Sequence, residues 1–204
     1  KWFVSIAVEL SEPQRFLPKT NKSVGIDLGI TDLAVLSNGE KIKAPKPLKI
    51  KLKKLQRLSK SLSRKQKGSN NREKAKTKLS RLHYKIGCIR KDFLHKLTSK
   101  LASQFDIICI EDLNVKGMVK NKRLSRAISD LGFYELKRQL IYKANQFGKT
   151  VKSVDKFYPS SKTCSCCGFK LESLPLSVRT WTCQNCNTTH DRDINASVNI
   201  LNHA

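Results

Sequence analysis

The run Val24-Gly25-Ile26-Asp27-Leu28-Gly29 is the most informative stretch of this 204-residue chain for its fold class. Its first part is short and apolar, which predicts a strand over Ser23–Asp27 that ends on a carboxylate. Open α/β sheets bind ligands at the rim formed by the carboxyl ends of their strands. The stretch therefore indicates an α/β fold with Asp27 at a functional rim.

A β-hairpin is predicted directly after this strand. Residues 32–36 and 41–43 flank Ser37-Asn38-Gly39-Glu40. Asn-Gly between two strands is the strongest short hairpin signal, because both residue types accept a positive φ. Together with the first strand, these segments predict a three-stranded antiparallel meander.

Strands and helices alternate in the rest of the chain. Residues 106–110 predict a strand that leads directly into Glu111, and residues 150–157 predict another. Residues 133–147 predict a helix, because their apolar side chains share one face, and residues 191–201 predict a last helix. This alternation favours a mixed sheet with flanking helices.

A long helical hairpin is predicted between the acid-tipped strands. Apolar residues recur at helical spacing over 48–62 and 79–101, and residues 68–71 predict the turn between them. The polar faces are dense in Lys and Arg, and a basic loop is predicted over 116–126. Such faces are either simply solvated or follow a phosphate backbone, and the charge of the whole chain favours the second interpretation.

The composition points to a polyanion as partner. The chain carries 41 Lys and Arg against 16 Asp and Glu, a formal net charge of +25. Self-repulsion on this scale destabilises a compact state, so we expect nucleic acid to neutralise it. No apolar run approaches about 18 residues and no signal-peptide pattern is present, so we expect a cytoplasmic protein that does not bind membranes.

Five of the seven cysteines fall within 23 residues. Four of them form two pairs, Cys164-x2-Cys167 and Cys183-x2-Cys186, which is the signature of a tetrahedral site with four thiolate ligands. We predict one structural Zn²⁺ at this site, because four thiolates leave no position for a reactive water. The apolar residues expected to pack around it are Leu171, Leu174, Leu176 and Trp181.

The fifth clustered cysteine, Cys166, competes with Cys167 for one ligand position. Gly168 follows Cys167 as Asn187 follows Cys186. Gly and Asn are the residues that best tolerate a left-handed backbone, so the match favours Cys167. Cys166 stays open as an alternative ligand.

Three acids stand at strand ends or at a helix start, namely Asp27, Glu111 and Asp193. Three carboxylates that converge at a sheet rim can hold two divalent cations about 3.5–4 Å apart, the arrangement that cleaves phosphodiester bonds. Mg²⁺ suits this site because it prefers oxygen ligands, and Mn²⁺ is an alternative. Asp27 and Glu111 are 84 residues apart in the sequence, and Glu111 and Asp193 are 82 apart. These separations alone do not show that the three acids are close in space.

Each acid also has a plainer interpretation. Asp27 and Asp32 fit turn positions. Asp112 fits the cap of a following turn, and Asp191 or Asp193 fits the cap of the last helix. A set of three acids in an otherwise basic chain favours the metal site, with Asp191 open as an accessory ligand.

Four motifs occur in the order and context of a known family. They are Val24-Gly25-Ile26-Asp27-Leu28-Gly29, Ile110-Glu111-Asp112-Leu113, Ser160-Ser161-Lys162-Thr163-Cys164 and Asp191-Arg192-Asp193-Ile194-Asn195-Ala196. On these motifs the chain resembles the TnpB (OrfB) family of transposon-encoded proteins, which are similar to compact type V CRISPR effectors. The resemblance extends from about residue 20 to the end of the chain.

For domain organisation, the resemblance implies an RNase H-like (RuvC-like) nuclease fold over 21–160 and 189–204. It implies a zinc ribbon over 161–188. Residues 1–20 are then the end of an upstream β-barrel and its linker. Because the chain starts without Met and lacks most of that barrel, we interpret it as a fragment or a processed product.

For function, the resemblance implies a Mg²⁺-dependent endonuclease in which a guide RNA pairs with target DNA and Asp27, Glu111 and Asp193 form the catalytic metal-binding triad. Guide pairing would read the sequence, while the protein holds backbone and shape. It also implies a prokaryotic cytoplasm, with association to the nucleoid when DNA is bound. Two alternatives stay open: a non-catalytic nucleic-acid-binding fragment, and a structure-specific nuclease that acts without guide RNA.

Overall fold

The computed structural model describes residues 4–8 and 16–204. The strand expected at the amino end, over residues 1–10, falls partly outside these ranges. Its described part, residues 4–8, is not in a strand, and its apolar side chains are exposed. Within the described ranges, no helix is both long enough and apolar enough to cross a membrane.

A five-stranded mixed sheet in the order β3-β2-β1-β4-β5 forms the centre of the protein, which confirms the predicted α/β class. The strands are β1 (Ser23–Asp27), β2 (Ala34–Leu36), β3 (Lys41–Ile42), β4 (Ile107–Glu111) and β5 (Thr150–Val154). β1, β4 and β5 are parallel, whereas β1, β2 and β3 form the predicted antiparallel meander. β5 ends earlier than predicted, because Asp155 begins a turn and accepts the backbone N–H of Phe157 on its side chain at 2.8 Å.

The β2–β3 hairpin closes through a turn that differs from the expected one. Gly39 has a φ of 90°, but Asn38 is not among the residues with a positive φ. Instead, Asn38 Oδ1 accepts the backbone N–H of Glu40 at 3.0 Å. The turn therefore needs a left-handed backbone at the glycine alone, and the asparagine contributes as an acceptor.

The predicted helical hairpin is present as α1 (Pro47–Ser63) and α2 (Asn70–Gln104). α2 is about 52 Å long at 1.5 Å per residue. It begins well before its apolar pattern, because Ser69 caps it by accepting the backbone N–H of Arg72 at 3.2 Å. Its buried aliphatic residues are Leu82, Ile86, Leu94, Leu97 and Leu101, of which the last three belong to the main core.

The segment predicted as a basic loop contains a short helix and leads into a second, α3 (Val115–Met118) and α4 (Ser125–Leu131). Both are too short to produce a periodic apolar pattern, so the sequence prediction missed them. Asp130 of α4 is buried and accepts the backbone N–H groups of Leu48 and Lys49, each at 3.0 Å. The carboxylate thereby caps the amino end of α1, which has no cap from its own N-cap side chain.

Helix α5 (Phe133–Phe147) matches its prediction and ends at Gly148, which has a left-handed φ of 70°. Its apolar face joins the main core through Phe133, Leu136 and Leu140. The opposite part of α5 contributes exposed aromatic and charged side chains near the rim of the sheet.

The last helix, α6 (Arg192–His203), packs chiefly against β1. At Gly25, in the middle of β1, an added Cβ would lie 1.9 Å from the carbonyl oxygen of Ser197 and 2.8 Å from the backbone nitrogen of Leu201. Both obstacles are backbone atoms, so only glycine fits. This close approach seats α6 on the sheet.

The cysteine module contains a two-stranded antiparallel ribbon of β6 (Thr180–Thr182) and β7 (Thr189–Asp191). Trp181 packs there with buried Cys164 and Cys183, and Leu171 and Leu174 lie against them as expected. The expectation for Leu176 was wrong, since its side chain is 80 % exposed. β7 runs directly into α6, so the ribbon and the last helix are continuous.

Candidate metal centres

The sheet brings the first two predicted acids to one edge. Asp27 ends β1 and Glu111 ends β4, and these strands are parallel neighbours. The register pairs Ile26 with Ile110, so each acid follows a paired residue on its strand. Neighbouring strands lie about 4.8 Å apart, and the two carboxylates therefore leave the sheet side by side.

The third acid, Asp193, reaches the same edge from the first turn of α6. Asp191 caps this helix, and its Oδ1 accepts the backbone N–H groups of Asp193 and Ile194, each at 3.1 Å. Asp193 lies about one turn before Ser197, which lies over Gly25, and its charge acts on Asp27 at the carboxyl end of β1.

The electrostatics of Asp27 show that the three acids act on one another. Burial, followed by the charges of Glu111 and Asp193, raises the pKa of Asp27 to about 8, and Arg192 and Arg179 oppose this rise. A carboxyl group with such a pKa lacks compensation for its negative charge. Glu111 and Asp193 are therefore near enough to Asp27 for their charges to act on it.

Polar partners hold the other two acids. Ser160 Oγ donates to Glu111 Oε1 at 2.9 Å. Burial raises the pKa of Glu111, and this hydrogen bond works in the opposite direction. Arg179 Nη1 lies 3.4 Å from each carboxylate oxygen of Asp193. Sequence reasoning missed Ser160 and Arg179 as site residues, although Ser160 opens the motif before the first cysteine.

The carboxylate site has the chemistry that divalent cations require. Asp27, Glu111 and Asp193 offer hard oxygen ligands, and Asp27, whose pKa is raised to about 8, gains from a nearby positive charge. Among the described residues, the groups whose ligand atoms all lie within 4.8 Å of one another contain cysteines and not these three acids. A single ion bound by all three acids would need their carboxylate oxygens closer together. Two ions about 3.5–4 Å apart fit three carboxylates that are spaced more widely.

Two neighbouring acids have other partners. Asp191, besides capping α6, pairs through Oδ2 with Lys41 Nζ at 2.6 Å. Burial alone would raise the pKa of Asp191, but the hydrogen bond from Lys41 and those from the helix backbone lower it. Asp112 pairs with Lys137 at 2.6 Å and is not a turn cap, because Asn114 caps α3.

The four predicted cysteine ligands come together at a second centre. Their sulfur atoms all lie within 4.8 Å of one another. Cys164 Sγ is 3.6 Å from Cys186 Sγ, and Cys167 Sγ is 3.6 Å from Cys183 Sγ. Such a cluster is a candidate tetrahedral thiolate site.

Both cysteine pairs are built on the same turn. Gly168 N donates to Cys164 O at 2.9 Å, and Asn187 N donates to Cys183 O at 3.0 Å. The left-handed backbone expected after each pair is present, with φ of 75° at Gly168 and 56° at Asn187. Equivalent turns aim both sulfurs of each pair at one point.

A smaller group, Cys164, Cys166 and His190, also has its ligand atoms within 4.8 Å of one another. Within it, Cys164 Sγ is 3.1 Å from His190 Nε2. Cys166 is exposed and occupies the position in the first turn that Asn185, which is not a cysteine, occupies in the second. The four-cysteine set uses both turns and offers one more ligand, so it is the stronger candidate.

Two asparagines of α6 connect the centres. Asn195 Oδ1 accepts the backbone N–H of Ser165 at 2.9 Å, and its Nδ2 donates to Thr163 O at 2.8 Å. One turn later, Asn199 Nδ2 donates to Ser160 O at 2.8 Å. α6 thus holds the segment that begins at Ser160, the hydrogen-bond partner of Glu111, and ends at Cys164. Sequence reasoning did not assign these asparagines a role.

Comparisons with known proteins agree on one family. The profile of the OrfB (IS605) family, described as "Probable transposase", matches residues 5–122, and the Cas12f1-like TNB domain matches residues 133–200. A protein of Streptomyces pristinaespiralis, named as a proposed RNA-guided DNA endonuclease, is 45 % identical over 98 % of this chain and 49 % of its own length. InsQ of Escherichia coli, with the same type of name, is 38 % identical over 98 % of this chain and 53 % of its own length. TnpB-like protein L79 of Acanthamoeba polyphaga mimivirus is 30 % identical over 93 % of this chain and 38 % of its own.

The fold has a counterpart among solved structures. The chain matches Cas12f1 from a complex with sgRNA and target DNA at a TM-score of 0.63 and 20 % identity, covering 91 % of this chain and 51 % of that one. The chain spans about half the length of the curated relatives named above. Its sequence motifs, its fold and both family matches lead to one conclusion: the chain belongs to the TnpB (OrfB) family.

Proposed function

We propose that this protein is the nuclease part of a transposon-associated, RNA-guided DNA endonuclease that hydrolyses phosphodiester bonds at Asp27, Glu111 and Asp193. The observation that carries the proposal is the convergence of these acids at one edge of the sheet. The names of the relatives supply the substrate class, DNA, and the guide, RNA. The same two observations, the converging acids and the names of the relatives, support our assignment of an RNase H-like fold.

In this mechanism Asp27, Glu111 and Asp193 would hold two Mg²⁺ ions, or Mn²⁺, and the bound metal would activate a water and stabilise the leaving oxygen. Asp27 must be ionised to do so, and its raised pKa makes it the acid most dependent on cation binding. Ser160 keeps Glu111 oriented through its hydroxyl group. Arg179 keeps Asp193 at the edge and adds positive charge where a phosphate would approach.

We assign one structural Zn²⁺ to Cys164, Cys167, Cys183 and Cys186. The sulfur spacing and the matched turns support this assignment. Four thiolates fill a tetrahedral ion, so this centre would hold the ribbon together and leave the chemistry to the carboxylates. We place the ribbon at 161–188, and the pairing of β7 with β6 extends its strand structure to Asp191.

The helical hairpin supports binding to nucleic acid. Residues 47–104 carry 19 Lys and Arg against two acids, most of the charge excess of the chain. A face of this kind follows phosphates without reading bases, which suits a protein whose guide reads the sequence. We propose that the hairpin contacts guide RNA or target DNA, and that 21–160 with 189–204 forms the nuclease domain.

The test is cleavage of target DNA by the protein purified with its RNA, in Mg²⁺. Asp27→Ala, Glu111→Ala and Asp193→Ala should each abolish cutting and leave DNA binding largely intact. Asp92→Ala is the matched control, because this exposed acid on α2 pairs only with Lys96 among the ion pairs of the described residues.

Normal cutting by the triple variant would reject the site. Strong, salt-sensitive binding without metal-dependent cutting would favour the non-catalytic alternative. Sequencing of the copurified RNA separates the guided function from a structure-specific nuclease. A guided enzyme carries one defined RNA and cuts only matching DNA.

A further inference from the structure

A cavity of about 420 Å³ opens beside Glu111, and no other residue proposed as a metal ligand lines it. It lies between the end of β4, the segment leading into α3, and the first turns of α5. Its apolar lining comes from Leu28, Leu113, Val115, Phe133 and Ile141. The volume lies in the range of ligand-binding clefts, which are usually lined by apolar side chains with a few polar groups.

The mouth of this cavity carries an aromatic ring that the fold leaves in solvent. Tyr134, in the first turn of α5, is 71 % exposed, and Ile141 farther along the helix is 40 % exposed. Their neighbour Phe133 is buried in the main core and fixes the helix below them. An exposed tyrosine above an apolar slot is a surface suited to a flat, partly apolar ring.

The polar part of the lining holds more basic than acidic side chains. Lys116, Lys137 and Arg138 line the cavity together with Asp112 and Glu111. Lys137 is paired with Asp112 at 2.6 Å, and Arg138 with Glu135 at 2.8 Å. Lys116 is exposed on α3, and none of the ion pairs found among the described residues includes it. A ligand with a flat ring and a phosphate matches both parts of the lining.

We infer that this cavity is a nucleotide subsite that holds one unstacked base of the strand being cut. The inference rests on the proposed function and deepens it. Tyr134 stacks on the base, the apolar floor receives its edge, and Lys116 contacts the adjoining phosphate. Because Glu111 also lines the cavity, a strand seated here places a neighbouring phosphodiester at the carboxylates. A base inside a duplex is already stacked on both faces, so the subsite selects single-stranded DNA.

The test uses single-stranded DNA carrying one 2-aminopurine at successive positions, whose fluorescence reports stacking. Ca²⁺ replaces Mg²⁺ so that the strand stays intact. With the wild-type protein, one position should respond far more than the others. Tyr134→Ala should abolish that response and raise the Kd about fivefold or more, the loss typical of one base–aromatic contact.

Two control variants define the contact. Tyr134→Phe keeps the ring and should keep the response. Tyr142→Ala removes a tyrosine of the same helix that is 37 % exposed and does not line the cavity, and it should also keep the response. The exposure of Tyr134 makes its truncation safe for folding.

The outcomes separate the subsite from the nuclease function. The subsite is wrong if no position responds, or if the response survives Tyr134→Ala, even when the protein cuts DNA in Mg²⁺. The nuclease function is wrong if no DNA is cut in Mg²⁺, even when the response depends on Tyr134. Loss of the response in Tyr142→Ala as well would move the contact away from this cavity and overturn the inference.

Discussion

Asp27 shows how a residue that is unfavourable for the fold can suit the cation site that we propose. It is a carboxylate at the end of a buried strand, with two other acids at the same edge. A structural acid would have acquired a cationic partner there, as Asp191 has acquired Lys41. The acid that the fold leaves uncompensated is the one whose charge a bound cation would use.

This residue predicts a pH dependence of stability in the metal-free protein. The pKa of Asp27 is raised from 3.8 to about 8, so between these values the folded state holds a proton that the unfolded chain releases. The free energy of unfolding should therefore fall as pH rises through this window. Asp27→Asn should remove this fall in the free energy of unfolding. At pH 8 the variant should be more stable than the wild type by about 1–4 kcal/mol.

Urea denaturation at pH 5 and pH 8, without Mg²⁺, measures the effect. Mg²⁺ should recover the stability of the wild type at pH 8 and do little for Asp27→Asn. Asp92→Asn, at an exposed pair, should follow the wild type in both conditions. Equal pH slopes for the wild type and Asp27→Asn would show that Asp27 is not the strained group.

At the scale of elements, the position of the site depends on how closely α6 approaches β1. Gly25→Ala places a Cβ 1.9 Å from the carbonyl oxygen of Ser197, and neither backbone can yield without moving the helix. We expect a loss of roughly 4 kcal/mol or more, or no folded protein. Gly87→Ala, in the open middle of α2, should instead stabilise by about 0.5–1 kcal/mol.

Thermal denaturation of the two alanine variants checks this contrast. The comparison controls for the general effect of replacing glycine, since both variants add the same methyl group. A Gly25→Ala protein as stable as the wild type would mean that α6 does not sit against β1 as described.

The asparagines of α6 predict a second effect at this scale. Asn195→Ala leaves the backbone N–H of Ser165 without its side-chain partner and removes one of the two amide donors to the carbonyl of Thr163, the other being Asn199. We expect a loss of about 1–3 kcal/mol of stability, because Asn195 is buried. Cutting should slow as well, since the same segment positions Ser160. Asn202→Ala, exposed on the same helix, should stay within about 0.5 kcal/mol of wild type in unfolding experiments.

Local patterns were enough to predict the parts of the site, and long-range packing decided how they meet. The strands ending at Asp27 and Glu111 are visible as short apolar runs, and the matched residues after each cysteine pair indicated the turns. The meeting of Asp27 and Glu111 depends on parallel pairing across 84 residues, which no local pattern encodes. α3 and α4 were missed for the opposite reason, because they are too short to carry a period.

In the whole molecule, charge is separated in space. The cationic residues crowd the helical hairpin, while Asp27, Glu111 and Asp193 gather at one edge of the sheet. Without bound cations, the acidic edge would repel the phosphates that the basic surface attracts. Cations bound at the edge would convert this repulsion into attraction. We therefore regard the net charge of +25 and the acidic edge as two parts of one function.

The cysteine ribbon is joined to the acidic edge by the chain itself. From Cys183, which follows β6, the chain turns back through β7. The last residue of β7, Asp191, caps α6 and sets the turn that carries Asp193. His190 of β7 lies 3.1 Å from the sulfur of Cys164. A metal that organises the cysteines therefore also fixes the start of α6.

This connection predicts that zinc loss lowers cutting as well as stability. Cys183→Ser removes a buried member of the four-cysteine cluster, so the protein should lose the Zn²⁺ that we assign there and melt at a lower temperature. Its cutting of DNA should fall because Asp193 is no longer held in place. Cys166→Ser is the matched control and should keep the zinc content, melting temperature and cutting of the wild type, since the four-cysteine group does not include it. A folded, zinc-free Cys183→Ser protein that cuts at the wild-type rate would show that the ribbon does not position the catalytic edge.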